Sequence, residues 1–176
     1  MIKFLLVSLL ILPVPDAVQT NMIDWKADRK LTWKDFEADP VLNTDNAALT
    51  SSNINFKFGY GSSGFTYSIS CRFDKSRSWV RVKNDHILAH EQAHFDIAEL
   101  HARKLNKALG AYKYNERTVS NDIEKIYNDI MKAHHEMQLQ YDRETDHSRN
   151  NEKQVEWLKK VKDELESYSA FAKYNK

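Results

Sequence analysis

The chain has 176 residues, and 26 lysines and arginines stand against 25 aspartates and glutamates, for a formal net charge of +1. This near balance argues against a dedicated nucleic-acid binder, which carries a basic excess on one surface. An apolar fraction of 41% and a charged fraction of 29% are typical of a globular protein and argue against wholesale disorder. The single cysteine, Cys71, excludes an intramolecular disulfide and a cysteine-rich zinc module, so any metal must take nitrogen and oxygen ligands.

The first 19 residues have the pattern of a secretory signal peptide. Lys3 precedes an apolar run over residues 4–12 that only Ser8 interrupts, and a charged start before a short apolar run is typical of such signals. The run is shorter than the roughly 20 apolar residues that span a bilayer. The alternative is a buried N-terminal strand or helix. We therefore expect a secreted or periplasmic protein with a single domain over residues 20–176 and no stable membrane span once the signal is removed.

Alternating apolar and polar residues in the first half of the chain predict a small antiparallel sheet. Apolar side chains occupy every second position over residues 54–58 and 65–73, and a glycine-rich hairpin loop over residues 59–64 separates the two runs. Cys71 falls on the apolar side of its run, so we interpret it as a small buried side chain and not as a nucleophile. Two further short strands are predicted over residues 31–36 and 79–82.

Apolar residues at helical spacing predict three helices in the second half of the chain, which has no proline after Pro40. We expect these helices over residues 85–109, 120–141 and 151–174, and we expect the polar run 141–148 to be a loop. The predicted apolar stripe of the first helix consists of Ile87, Phe95, Ala98, Ala102, Leu105 and Leu109. The pattern therefore indicates an α+β fold, with a small antiparallel sheet packed on a helical C-terminal half.

One motif on the first predicted helix carries metal chemistry. Residues 90–94 read His-Glu-Gln-Ala-His, which is the H-E-x-x-H pattern. A spacing of four places both imidazoles on one helix face, about 6 Å apart along the axis, where they converge on one Zn²⁺. Glu91 lies roughly 100° around the helix, so its carboxylate reaches a zinc-bound water and not the metal. We therefore expect His90 and His94 to bind zinc and Glu91 to act as general base, in a fold similar to that of zincins. The alternative is a surface helix with solvated histidines.

A zinc site of this type needs a third protein ligand, and no histidine near the motif provides one. His101 lies about 10 Å beyond the motif along the helix, and His86 cannot join both motif histidines on one ion. Ile97 and Leu100 stand where a metzincin would have glycine and histidine. The remaining candidates, among which spacing alone does not choose, are His134, His135, Glu136, Asp142, Glu144 and His147.

Several segments of the chain, taken in order, resemble an uncharacterised bacterial family described as secreted zinc-dependent proteases. The longest is residues 90–99, His-Glu-Gln-Ala-His-Phe-Asp-Ile-Ala-Glu, followed by Ala102 and Arg103. The likeness covers roughly residues 25–160. The other matching segments are residues 31–36, 47–50, 73–74, 78–79, 141–147 and 154–157.

The resemblance implies a zinc metallopeptidase and favours His147 as the third ligand. The family pattern here is Tyr-Asp-x-x-Thr-x-His-Gly, which residues 141–148 match except that Ser148 stands in the place of the glycine. The ligand set implied in this way is His90, His94 and His147.

Zinc-bound imidazoles usually donate their second N–H to a carboxylate or a carbonyl oxygen. Asp142 is a candidate for orienting His147 in this way, and Asp96 or Glu99 for the two helix histidines. For Glu99 an ion pair with Arg103 is favoured instead. For Tyr141 a position in the core is favoured over a part in oxyanion stabilisation.

We therefore expect a secreted or periplasmic zinc-dependent peptidase that hydrolyses peptide or protein substrates with a zinc-activated water. The substrate would pair with a sheet edge beside the motif helix, and Glu91 would act first as base and then as acid. One alternative is a zinc amidase that acts on a non-protein amide, which has the same ligand set and is not separable by sequence. Others are a non-catalytic zinc-stabilised binding module of the cell envelope and a chain without metal.

Overall fold

The computed structural model of the protein describes residues 21–62 and 64–174. The strands are β1 (Met22–Asp24), β2 (Ala48–Leu49), β3 (Ser52–Gly61), β4 (Gly64–Asp74) and β5 (Trp79–Val80). The helices are α1 (Asp85–Ala111), α2 (Val119–Thr145) and α3 (Asn151–Ser167), with short 3-10 turns at Trp33–Asp35, Lys75–Arg77 and Ser169–Phe171. All strands precede the helices, which confirms the predicted α+β class. The predicted signal peptide over residues 1–19 lies outside the described residues.

The larger sheet has three antiparallel strands in the order β1-β4-β3. The hairpin of β3 and β4 pairs from Ser52 opposite Phe73 to Gly61 opposite Gly64, so its connection is shorter than the predicted loop over residues 59–64. Gly64 has a φ of 113°, a left-handed conformation that glycine adopts without steric penalty. β2 and β5 form a separate two-stranded antiparallel ribbon.

The apolar face of β4 packs against α1, as the two periodicities predict. Cys71 is 2% exposed, which confirms that it is a buried side chain. Phe73 of β4 meets Phe95 of α1 with ring centroids 5.8 Å apart. All six residues of the predicted α1 stripe are buried. The chain begins this helix at Asp85 because the Asn84 side chain accepts the N–H of Ile87 at 2.8 Å.

A second apolar cluster joins α1 to α2 and α3. It contains Ile97 and Leu100 from α1, Tyr141 from α2, and Trp157 and Val161 from α3. The middle of α1 is therefore enclosed by the sheet on one side and by the other two helices on another. The part of the chain that the structure describes contains no helix with the length and apolarity that crossing a membrane requires.

The segment 31–36 is a short 3-10 turn and not the predicted strand. The Asp35 carboxylate accepts the Thr32 N–H at 2.7 Å, while the Asp35 N–H donates to the Thr32 carbonyl at 2.9 Å. These local bonds close a turn within the segment, which the alternation of its apolar residues did not reveal.

The polar run 141–148 is also not the predicted loop, because α2 continues to Thr145. Tyr141 and Thr145 are fully buried, and the Thr145 hydroxyl donates to the Tyr141 carbonyl at 2.7 Å. The third helix ends earlier than predicted, at Ser167, and Val155 on it is 66% exposed. The first of these differences matters most, since it places Asp142 on a helix.

Candidate metal centre

The H-E-x-x-H residues lie in the middle of α1 on the side that faces α2. The Nε2 atoms of His90 and His94 are 3.1 Å apart, and their rings meet edge to face with centroids 4.8 Å apart. This arrangement follows from their four-residue spacing, which sets the side chains one above the other on a helix. Both side chains are largely buried, at 5% and 15% exposure. The two nitrogens therefore converge on one small region of space.

Asp142 of α2 completes this cluster. Its Oδ1 atom lies 3.2 Å from His90 Nε2 and 3.1 Å from His94 Nε2. Among the described residues, His90, His94 and Asp142 form a group of potential metal ligands whose binding atoms all lie within 4.8 Å of one another. We call this group the His-His-Asp cluster.

The donor atoms of the His-His-Asp cluster fit a zinc ion. Nitrogen and oxygen ligands about 2.0–2.1 Å from zinc at tetrahedral angles are about 3.3 Å from one another. The three edges of the cluster are 3.1, 3.1 and 3.2 Å, within a few tenths of that spacing. Three protein ligands also leave a fourth position open, which distinguishes a hydrolytic zinc site from a structural one.

The charges of the cluster also suit a cation. Burial opposes protonation of His94, but the hydrogen bond to Asp142 and the charges of Glu91 and Asp142 outweigh it and raise its pKa to about 9. Burial lowers the pKa of His90, although its hydrogen bond to Asp142 opposes that shift. Burial acts to raise the pKa of Asp142, but hydrogen bonds from both imidazoles hold it well below its usual range. The Asp142 carboxylate is thus ionised and favours a proton on His94. A divalent ion bound to the three ligand atoms would replace that proton.

Glu91 points into the same region with a carboxylate oxygen that lacks a partner. The residue is 4% exposed, and its Oε2 atom has no hydrogen-bond partner among the described residues. The Glu91 backbone carbonyl accepts the hydroxyl of Thr50 at 3.1 Å, which ties α1 to the segment after β2. A buried, unpartnered carboxylate oxygen is costly to fold around, and such groups call for a functional explanation.

The cluster and Glu91 line a cleft with a volume of about 370 Å³. One wall is the segment 46–52, which includes β2, and the other is formed by α1, α2 and residues 147–148. β2 pairs only with β5 among the described strands, so its second edge has no strand partner there. The cleft therefore runs beside a short strand that has no strand partner on one edge among the described residues.

His147 lines the cleft but adjoins the cluster instead of forming part of it. Its Nδ1 atom lies 3.7 Å from Asp142 Oδ1, and its side chain is 49% exposed. The role of His147 as third ligand stays a prediction. Asp142, which was another of the six candidates, is the one whose oxygen contacts both motif histidines.

The backbone around His147 is strained. The three residues after α2, Asp146, His147 and Ser148, have φ values of 48°, 49° and 74°, a left-handed conformation that costs about 1–2 kcal/mol for each residue with a Cβ. Ser148 occupies the glycine position of the family pattern, where this conformation would carry no such cost. His86 anchors the segment by donating from Nε2 to the Ser148 carbonyl at 2.6 Å.

The other predicted candidates lie in different surroundings. Glu136 is exposed and lies 3.9 Å from Lys132, and Glu144 accepts the Trp157 N–H at 2.8 Å. His135 is exposed. None of these side chains joins the His-His-Asp cluster.

The proposed orienting carboxylates on α1 have other partners. Asp96 accepts the indole N–H of Trp25 at 2.7 Å. Glu99 accepts from Arg103 at 2.8 Å, which confirms the favoured ion pair. Tyr141 is fully buried and stacks on His90 at a centroid distance of 4.6 Å, which confirms its place in the core.

Sequence reasoning missed Gln138. Its Oε1 atom lies 2.5 Å from His94 Nδ1, and its Nε2 atom donates to the His94 carbonyl at 2.9 Å. The signal that could have found it is the spacing of His134, Gln138 and Asp142, which lie at four-residue steps and share one face of a helix. That face became recognisable only once α2 was known to extend through residue 145.

The fold and the cluster describe an α+β protein with a potential metal site on a central helix. The model of the family described as "Bacterial protein of unknown function (DUF922)" matches residues 29–148. Because the match spans more than half of the chain and includes every residue of the cluster, the chain belongs to this family. No curated protein and no solved structure matches the chain. The family description names no activity.

Proposed function

We propose that this chain is a zinc-dependent peptidase of a secreted or periplasmic compartment. His90, His94 and Asp142 would hold the zinc, and Glu91 would be the general base. One observation carries the proposal: three ligand atoms 3.1–3.2 Å apart lie in an open cleft that is also lined by a buried carboxylate with an unpartnered oxygen. A site of this composition suits hydrolysis of an amide bond.

The proposed chemistry divides between the metal and the chain. Zinc bound at the cluster supplies a Lewis acid that polarises a carbonyl group and lowers the pKa of water. Glu91 accepts the proton of the attacking water and then donates it to the leaving amine nitrogen. Its Oε2 atom has no hydrogen-bond partner among the described residues, so that oxygen is free to accept this proton.

The substrate would lie along β2. An extended peptide can add to an unpaired strand edge through backbone hydrogen bonds, which recognise the chain without regard to its side chains. Residues Ala48 and Leu49 present such an edge, and they line the cleft that contains the cluster. This placement would hold the scissile bond beside Glu91.

Two measurements test the proposal. Zinc content is measured after purified protein is equilibrated with zinc and desalted, and we expect one zinc per chain in the wild type and loss of zinc in His94→Ala. Hydrolysis of fluorescent casein is then compared between wild type and Glu91→Gln, which keeps the shape of the side chain but cannot accept the proton. We expect Glu91→Gln to retain zinc and to lose at least about 100-fold in rate, because general-base catalysis contributes that much.

Glu136→Gln is the matched control. Glu136 lies on α2 with its side chain 63% exposed and outside the cleft, so its substitution should change neither zinc content nor rate. A wild type that binds no zinc would contradict the proposal. A zinc-bound wild type that hydrolyses neither casein nor cell-wall peptides would support the binding module instead, and activity on the cell-wall amide alone would support the amidase.

A further inference from the structure

We propose that Gln138 is a positioning residue for His94. Its side-chain amide fixes which ring nitrogen of His94 carries the hydrogen and directs the other nitrogen at the His-His-Asp cluster. The inference rests on the proposed function, because it takes His94 to be a metal ligand. It adds a residue of α2 that controls the geometry of the site without touching the metal.

The orientation of the Gln138 amide follows from its contacts. The His94 backbone carbonyl can only accept a hydrogen bond, so the group 2.9 Å from it must be the amide NH₂ of Gln138. The second N–H of that NH₂ is directed at His134 Nε2, 3.0 Å away. With both N–H groups placed, the amide oxygen is the atom that lies 2.5 Å from His94 Nδ1.

The tautomer of His94 follows in turn. An amide oxygen can only accept, so His94 Nδ1 must carry a hydrogen and donate it to Gln138. When a metal displaces the hydrogen on Nε2, the neutral imidazole keeps its one N–H on Nδ1, which leaves the lone pair on Nε2. Nε2 is the nitrogen that lies 3.1 Å from both Asp142 Oδ1 and His90 Nε2. Gln138 therefore selects the form of His94 that can bind a metal at the cluster.

The other motif histidine has no comparable support. His90 Nδ1 is buried and has no hydrogen-bond partner among the described residues. Its ring is held by stacking on Tyr141 at an interplanar angle of 20°. His94 thus differs from His90 in having a side-chain partner for its Nδ1 atom, which makes Gln138 a sharp target for substitution.

Zinc affinity tests the inference. Competition with a chromophoric chelator gives the dissociation constant of wild type, Gln138→Leu, Gln138→Glu and Gln140→Leu. We expect Gln138→Leu to bind zinc about 10–100-fold more weakly, the usual loss when the partner of a metal-bound histidine is removed. Gln138→Glu keeps an oxygen that accepts from Nδ1 and should stay within about fivefold of wild type. Gln140→Leu is the matched control, since Gln140 lies on the same helix but donates to Glu144 at 2.7 Å.

The imidazole resonances in ¹⁵N-edited NMR spectra of zinc-loaded protein give a readout that a merely structural role would not move. In wild type we expect a hydrogen on His94 Nδ1 that exchanges slowly because Gln138 accepts it, and faster exchange of that hydrogen in Gln138→Leu. Thermal unfolding of the metal-free variants shows whether Gln138→Leu folds, and Gln138→Glu carries the same NMR test if it does not.

The outcomes separate the two proposals. A wild type that binds no zinc overturns both this inference and the proposed function. A wild type that binds zinc while Gln138→Leu stays within about threefold of its affinity overturns only the role of Gln138. So does a spectrum in which His94 Nδ1 of the wild type carries no hydrogen, or a Gln138→Glu variant that binds as weakly as Gln138→Leu.

Discussion

Asp142 Oδ1 lies 3.1 Å from His94 Nε2, and this contact joins the last turns of α2 to the middle of α1. The same oxygen lies 3.2 Å from the other motif histidine. A metal at this point would be held by two helices at once, so the site depends on their packing as well as on the motif.

The choice of third ligand is testable by comparing Asp142→Ala with His147→Ala. We expect Asp142→Ala to weaken zinc binding more than about 100-fold, beyond the loss typical of an orienting partner, because a ligand is removed. His147→Ala should stay within about tenfold of wild type, since His147 only adjoins the cluster. The measurement is zinc affinity by chelator competition. The reverse order of losses would support His147 as the ligand and contradict the assignment of Asp142.

The buried ion pair of Glu99 and Arg103 should be the most sensitive charged pair in the fold. The two residues are 1% and 6% exposed, and Arg103→Leu would leave an uncompensated buried carboxylate. We expect a loss of about 3–5 kcal/mol in the free energy of unfolding, measured with urea on metal-free protein. The double variant Glu99→Leu with Arg103→Leu should recover part of that loss. An exposed pair, Lys125 with Asp129, provides the control: Lys125→Ala should cost less than about 1 kcal/mol.

His101 should make the protein less stable in mild acid. Burial lowers the pKa of His101 from 6.5 to about 4. As the pH falls below 6.5, the unfolded chain gains a proton at this residue while the folded chain does not, so stability is lost until the pH nears 4. The full effect of this one group is about 3 kcal/mol.

This contribution is measured as the slope of the unfolding free energy against pH between 7 and 4.5. His101→Gln, which cannot titrate, should flatten the slope relative to wild type. The same substitution at His135, an exposed residue of α2, should leave it unchanged. An equal slope for wild type and His101→Gln would show that His101 does not remain neutral in the folded protein.

Ser148→Gly should stabilise the fold. Ser148 has a φ of 74°, and removal of its Cβ relieves about 1–2 kcal/mol of strain against about 0.5–1 kcal/mol of added chain entropy in the unfolded state. We expect a net gain of about 0.5–1 kcal/mol, or a Tm about 1–4 °C higher. Ser68→Gly in the exposed face of β4 lacks that strain and should lower the Tm instead. A lower Tm for Ser148→Gly would show that the strain at Ser148 is smaller than the chain entropy that glycine adds to the unfolded state.

Amphipathic periodicity predicted the longest strands and the core of each helix. The α1 stripe from Ile87 to Leu109 and the alternation of β4 are amphipathic signals, and the side chains they marked are buried except for the half-buried Phe65. The last turn of α2 was predicted wrongly because its residues are polar. Asp142 contacts the cluster, Glu144 contacts Trp157, and Thr145 lies in the core. All three are tertiary contacts. A helix end that is stabilised by such contacts cannot be distinguished from a loop by its own residues.

The candidate site, like the fold, could be predicted from the sequence only in part. The spacing of His90 and His94 sets their distance within one helix, so their convergence was predictable. Asp142 could only be one of six candidates, because its position depends on where α2 crosses α1. Gln138 was not considered at all, because its four-residue spacing from Asp142 has meaning only once α2 is known to continue past residue 141. Its proposed role rests on its contacts with the Nδ1 atom and the backbone carbonyl oxygen of His94.

The single cysteine of this chain means that no internal disulfide can cross-link it. A metal ion at the His-His-Asp cluster would do so, because it would tie His90 to Asp142 across 52 positions of the sequence. By chain-entropy reasoning, a covalent link across such a loop removes about 4 kcal/mol of freedom from the unfolded state. The metal that equips the cleft for chemistry would thus also act as a removable cross-link, which a chelator opens without a reductant.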